Sequence, residues 1–388
     1  MEMGMTHELI IGTYTERLPH VAGRAEGILS CRYDAGVVGT LRGLAVTNNP
    51  SYLALSGDRQ YLYAVNEVAT FADGAGACTT TGGVSAFRRD LATGDLSWLG
   101  TVPSGGEGPC HLCLTLDGRF LLVANYGSGS VSVFALGPDG ALGKMTCRVE
   151  HVGSGPNSER QGGPHPHMVA VDPRTAALLV VDLGLDAVLT YALSEEGELA
   201  ERPEGRIDMG PGAGPRHLAF GPGGEHLFVV NELDNSVVAL RREGRGFATV
   251  ARASTLPCDS PTSPGAGAGT GWGSGTGAGG GTGAGGAAAA VRISPSGGLV
   301  LVSNRAPEGG SVAVLRFDAR VGSLELTNVQ GTGGYTPRDM LITDGGRFVA
   351  VANQDSDNVV VFGLEEETGL LTEVSVRTVP TPACLLVP

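Results

Sequence analysis

A single pattern of short strand, Gly/Asp turn, very apolar strand and third strand recurs along this chain, and such copying limits the possible folds more than any other feature. Five copies run over Gly108–Leu136, His165–Leu193, Gly214–Arg241, Ala288–Asp318 and Thr336–Leu364. A sixth, Asn48–Glu67, has the first two strands, with its third displaced to Gly83–Arg88 by a loop around Asp73–Thr81. In every copy the second strand closes on Asn or Asp: Asn66, Asn125, Asp182, Asn231, Asn304 and Asn353, spaced by 59, 57, 49, 73 and 49 residues. Units of this length cannot bury their apolar faces alone and do so against one another.

The interval of 73 exceeds its successor by 24, about the length of the Gly/Ala/Ser/Thr tract from Pro264 to Ala290. That tract, at about 264–290, reads as an insertion within one repeat. It lacks the apolar area to offset chain entropy, so a mobile loop is expected. The remaining strands are four to seven residues long, rich in Val, Leu and Phe, and joined by turns such as Pro138–Ala141 and Asp344–Arg347. No segment keeps a helical period beyond a turn or two, which excludes α/β layering. A four-stranded unit of ~50 residues has the size of a β-propeller blade. His7–Thr13 and Gly27–Tyr33, with a closing strand near Ala383–Val387, supply one blade more. The expected fold is all-β: residues 1–388 as one domain, a seven-bladed β-propeller of four-stranded antiparallel blades closed by strands from both termini.

Charge narrows the partners. The chain has 26 basic and 40 acidic residues, a formal charge of −14, which disfavours nucleic acid and anionic membrane. Lys144 is the only lysine, so an anion must be gripped by arginine or backbone amides. No apolar run approaches the ~18 residues of a membrane span. Met1–Leu18 carries Glu2 and Glu8 and does not read as a signal peptide, so a cytoplasmic protein is expected. Seven irregularly spaced cysteines argue against a disulfide framework. Cys110 and Cys113 form a C-x-x-C, but in an alternating strand an offset of three points them to opposite faces.

Antiparallel pairing ranks the polar residues. Those entering a blade's first strand and those leaving its second lie at the same end, on one rim of the central channel. The entering residues include His111, His165, His167, Arg216, His217, Arg338 and Asp339, and the leaving ones Glu67, Tyr126, Glu232, Arg305 and Gln354. Prolines precede several of them, in Gly162–His167, Gly214–His217 and Tyr335–Asp339, which stiffens the approach to the strand. Each has a plainer reading: histidines as hydrogen-bonding core residues, Arg216 and Arg305 as partners of acids such as Glu232. Guanidinium groups at a channel mouth are nonetheless shaped for bidentate contact with carboxylate or phosphate. His165-Pro166-His167 lacks an obvious third metal ligand, and neither metal nor other cofactor is expected.

Several of these segments carry a resemblance. Ile-Gly-Thr-Tyr-Thr (11–15), Gly-Gly-Pro-His-Pro-His (162–167), Gly-Pro-Arg-His-Leu-Ala-Phe (214–220), Val-Asn-Glu-Leu-Asp-Asn-Ser-Val (230–237), Ser-Asn-Arg (303–305), Pro-Arg-Asp-Met (337–340) and Asn-Gln-Asp-Ser-Asp-Asn-Val-Val-Val-Phe (353–362) look like the seven-bladed lactonase family. That family includes propeller-type 6-phosphogluconolactonases and the fungal carboxymuconate-lactonizing enzymes. The match spans nearly the whole chain, departing at the glycine-rich insertion and at Ala306–Gly310.

The resemblance implies hydrolysis of 6-phospho-D-glucono-1,5-lactone to 6-phosphogluconate, in the pentose phosphate pathway. It places the catalytic set on His165, His167, Arg216, Glu232 and Arg305; the rim positions add Arg338, Gln354, His111 and Glu67 as expected substrate-binding residues. Water attacks the lactone carbonyl, Glu232 or a neutral His165 or His167 serves as base, and Arg216 and Arg305 stabilise the oxyanion or hold phosphate. The expected partner is a small anionic lactone, acted on by a monomer or small homo-oligomer. Two other readings stay open: a carboxymuconate-lactonizing or cyclase-type enzyme, and a propeller scaffold without chemistry.

Overall fold

The computed structural model describes residues 7–72, 78–202, 205–257, 286–306 and 309–388. They form seven antiparallel blades. In blades 2 to 7 the strands follow chain order from the channel outwards, with inner strands Leu53–Leu55, Pro109–Leu114, Pro166–Val171, Pro215–Phe220, Ala287–Ile293 and Pro337–Thr343. Blade 1 is built from both ends of the chain: Pro382–Leu386 is innermost, followed by His7–Thr13, Gly27–Asp34 and Val37–Val46. Each inner strand touches the inner strands on either side, so the ring is closed and no blade ends in an open inner edge.

Second strands such as Phe120–Asn125 and Leu178–Asp182 are buried along their whole length, because both of their faces meet neighbouring blades. Their Val, Leu and Phe side chains assemble one apolar cluster at each blade interface. Leu122 and Val133 of blade 3 pack with Val169 and Val180 of blade 4, for example, and Ile10 of blade 1 packs with Leu62 of blade 2. Full burial of one such side chain contributes ~1.5–3 kcal/mol.

The glycine-rich stretch divides differently from the sequence reading. Residues 258–285 lie outside the described residues, but its last part does not belong to a loop: Ala287–Ala290 begin the inner strand of blade 6, each at most 2% exposed. Small side chains look like low complexity in sequence; here they let neighbouring arginines reach the strand's carbonyls. The loop expected around Asp73–Thr81 is described only at its edges, where Phe71–Ala72 pairs with Cys78–Thr79. Helical turns among the described residues are two 3-10 segments, Pro222–Gly224 and Asp344–Gly346. No helix among the described residues is long and apolar enough to cross a membrane.

Candidate functional site

The entry to the inner strand repeats one irregularity. Pro109 pairs with Asn125, but the next pair is His111 with Ala124, which leaves Cys110 bulged out of the ladder. The same slip frees His167 after Pro166, Arg216 after Pro215 and Arg338 after Pro337. A proline has no N–H to lose at that point, and a bulge re-aims the extra side chain. The freed residues turn towards one channel mouth, and the residues that follow, His111, His217 and Asp339, sit deeper. Glu67, Tyr126, Glu232 and Arg305 arrive at the same mouth one position after the closing Asn of their second strands.

Together these residues shape a cavity of about 420 Å³ lined by Glu67, Cys110, Tyr126, His167, Glu232, Arg305 and Arg338, with Arg160 and Glu107 from loops. Leu18, Pro19 and His20, at the tip of the hairpin Arg17–Leu18/Val21–Ala22, cover one side. A larger hollow of about 980 Å³ opens at the opposite mouth, along the far ends of the inner strands. It lacks the guanidinium cluster, so the smaller cavity is the candidate site.

Glu232 is the hub. Arg160 Nη2 lies 2.6 Å from Oε1, and Arg305 Nη2 and Arg216 Nε lie 2.7 and 3.1 Å from Oε2. Arg216 Nε makes no hydrogen bond despite that distance, so its hold is Coulombic rather than directional. Burial pushes the Glu232 carboxyl up, but Arg305, Arg160 and Arg216 outweigh it and hold the group ionised, well below the usual carboxylate range. Arg216 is 1% exposed and does not line the cavity; Nη1 donates to the Ala289 carbonyl at 2.8 Å. Burial, then Arg305 and Arg338, push its pKa down to about 9, still leaving it a cation at neutral pH. Arg305 points Nε and Nη2 at the Ala287 and Ala288 carbonyls.

Glu67 anchors the other side. Its Oε2 accepts from the Tyr14 hydroxyl at 2.8 Å and from Ser51, Arg338 Nη2 stands 3.5 Å away, and His20 Nε2 is 3.5 Å from Oε1. Burial raises this carboxyl, and Arg338, His20 and Ser51 together bring it down to about 2. Arg338 also lies over the Tyr14 ring, 5.1 Å from its centroid.

His167 lines the same cavity. Burial, reinforced by Arg216, pushes its pKa well below the ordinary value, so the ring is neutral, and Nδ1 has no partner among the described residues. Behind it the histidines continue into the channel: the His217 ring centroid lies 5.2 Å from that of His167 and 5.7 Å from that of His111, and His111 lies against Tyr52.

Three residues expected at the rim sit elsewhere. His165 does not line the cavity: its ring stacks on Tyr126 and Nδ1 pairs with the Tyr126 carbonyl at 2.9 Å. Gln354 is 1% exposed beside Asp355, and His111 belongs to the channel interior. Conversely, Arg160, Tyr14, Ser51 and His20 reach the site from loops and the first-blade hairpin, outside the repeated strands that guided the sequence reading. No group of three or more His, Cys, Asp or Glu side chains among the described residues is arranged to hold a metal ion.

A family description, lactonase, seven-bladed β-propeller, matches residues 8–387. The chain belongs to that family. A 6-phosphogluconolactonase of Bacillus subtilis (strain 168) is 32% identical over 380 residues, 97% of this chain and 96% of the relative. One from Formosa agariphila is 28% identical over 94% and 95% of the two chains. Among solved structures, the periplasmic gluconolactonase of Pseudomonas aeruginosa superposes with a TM-score of 0.82 at 29% identity, covering 98% of this chain and 99% of that one. The chain is thus a lactonase, a hydrolase that opens cyclic esters, and the cluster around Glu232 and Glu67 is its candidate active site.

Proposed function

We propose that this lactonase hydrolyses 6-phospho-D-glucono-1,5-lactone to 6-phosphogluconate, in the pentose phosphate pathway and in the cytoplasm. The observation that carries the reading is a neutral histidine, its Nδ1 buried without a partner among the described residues, on the wall of a cavity rich in arginine. The names of relatives at about 30% identity support the substrate.

Hydrolysis requires a base for the attacking water and positive charge at the carbonyl oxygen. Three guanidiniums already bind Glu232 and depress it, which makes it a weak base; its work is to hold those guanidiniums in place. His167 accepts the proton as water attacks C1. Arg338 stabilises the oxyanion. The tetrahedral intermediate then collapses with cleavage of the bond from C1 to the ring oxygen, which takes the proton back from His167. The acid product ionises to carboxylate, releasing one proton to water.

Freshly generated phosphogluconolactone, followed with and without enzyme, tests this directly. Arg338→Ala is expected to lose roughly 10²–10³ in kcat/KM, and His167→Gln roughly 10²–10⁴ in kcat. Full activity in both variants, or turnover of a carboxymuconate in place of the sugar lactone, overturns the proposal.

A further inference from the structure

The four guanidiniums of the site are not delivered alike. Arg216, Arg305 and Arg338 come from the strands of the blades, whereas Arg160 comes from the long connection between blades 3 and 4. That connection is fastened by the side chain of Gln161. Its Nε2 donates to the Leu183 carbonyl at 2.9 Å and to Asp186 Oδ1 at 2.6 Å, and its Oε1 accepts from the Asn157 amide at 3.1 Å. Asn157 Oδ1 in turn accepts from the Arg160 amide at 3.1 Å. Gly155 lies against this clip: a Cβ there would meet Gln161 Cδ at 2.6 Å. The backbone at Arg160 is therefore held while its long side chain, 22% exposed, reaches over the cavity.

Both polar contacts of that side chain, to Glu232 at 2.6 Å and to the Tyr126 hydroxyl at 3.5 Å, use Nη2. The donors on Nε and Nη1 have no partner among the described residues. The local charge balance is as uneven as the geometry. Around Glu232 three guanidiniums meet one carboxylate, an excess of two positive charges, while around Glu67 one guanidinium meets one carboxylate. A phosphate monoester carries about −1.5 to −2 at pH 7 and three acceptor oxygens, which matches the first end and not the second.

We infer that Arg160 is the specificity-determining residue of the site, and that the phosphate group of the substrate binds at the Glu232 end, taken by the free donors of Arg160 with Arg305. This rests on the lactone reading above and fixes which way the substrate lies: phosphate at Glu232, lactone carbonyl towards His167 and Arg338. Arg160 contacts neither the reacting carbonyl nor the attacking water, so its removal acts on discrimination between lactones.

The test compares kcat/KM on 6-phosphogluconolactone and on unphosphorylated glucono-1,5-lactone, in wild type, Arg160→Gln and Arg160→Lys. Loss of a charge-assisted hydrogen bond is expected to lower the preference for the phosphorylated substrate roughly tenfold or more in Arg160→Gln. Arg160→Lys, which keeps the charge but not the fork, recovers part of it. Inorganic phosphate binding, measured by titration calorimetry, is expected to weaken to a similar extent in Arg160→Gln and to persist in Arg338→Gln. An unchanged preference, including equal loss on both substrates, overturns the inference, because that is what a merely structural tether for Glu232 produces. If wild type hydrolyses neither lactone, the functional reading fails, and the phosphate titration alone decides whether Arg160 marks an anion site.

Discussion

Glu232 and Glu67 occupy equivalent places, one residue beyond the closing Asn of their second strands, yet their surroundings differ in kind. Glu232 is held almost entirely by charge, from three arginines belonging to two blades and a loop. Glu67 is held by a single arginine, whose other support is an aromatic ring, together with His20 and hydrogen bonds from Tyr14 and Ser51. The difference shows how one backbone position serves two purposes. An overcharged end attracts an anion, whereas a balanced and hydrogen-bonded end stays rigid and nearly neutral.

Glu232→Gln leaves three guanidiniums, that of Arg216 fully buried, without their carboxylate, and unfolding in urea is expected to show a loss of about 3–5 kcal/mol; a loss below about 1 kcal/mol means that solvent, not Glu232, neutralises them. Next comes acid. Glu67 is depressed from 4.5 to about 2, so its contribution is complete above about pH 4.5 and disappears as pH falls towards 2. Each tenfold change in proton affinity is worth about 1.4 kcal/mol, so the whole contribution is roughly 3 kcal/mol, and the decline should be absent in Glu67→Gln.

At neutral pH Glu67→Gln itself is expected to cost only about 1–3 kcal/mol, since the amide keeps an acceptor for Tyr14 and Ser51. A cost equal to that of Glu232→Gln removes the distinction between the two ends. The smallest effect concerns the buried histidines. Burial depresses His111 to about 3, and the neutral rings of His167 and His217 lie lower than the ordinary value as well. The unfolded chain therefore binds extra protons below pH 6.5, and stability falls as pH drops, by roughly 1.4 kcal/mol per pH unit for each histidine. His111→Asn should flatten the slope between about pH 6 and 5 by about one such increment; an unchanged slope means that His111 is protonated in the folded protein.

Much of this was legible in the sequence because the repeat carries its own geometry. Strand alternation and antiparallel pairing identify the channel-mouth end of each blade, which is why His167, Arg216, Glu232, Arg305, Arg338 and Glu67 meet. Alternation alone could not separate His165 from His167, since two residues apart they share a face; the bulge after Pro166 makes the choice. Arg160, Tyr14 and His20 were missed because they lie outside the repeated strands. Tyr14 sits in the Ile-Gly-Thr-Tyr-Thr segment, and Arg160 in a turn-rich run from Gly153 to Pro164, neither of which reports its distant partner through local pattern. The Ala287–Ala290 strand hid behind the glycine tract because composition cannot tell a small-residue strand from a linker.

The stitched first blade has a consequence for when the enzyme matures. Tyr14 exchanges hydrogen bonds with the backbone and side chain of Thr381, next to the last strand of the ring. The tyrosine that steadies Glu67 is thus clamped by residues that leave the ribosome more than 360 positions later. A nascent chain can stack its middle blades early, but its pocket stays half assembled until the strand after Thr381 has been made, so turnover should switch on abruptly with that strand instead of growing blade by blade.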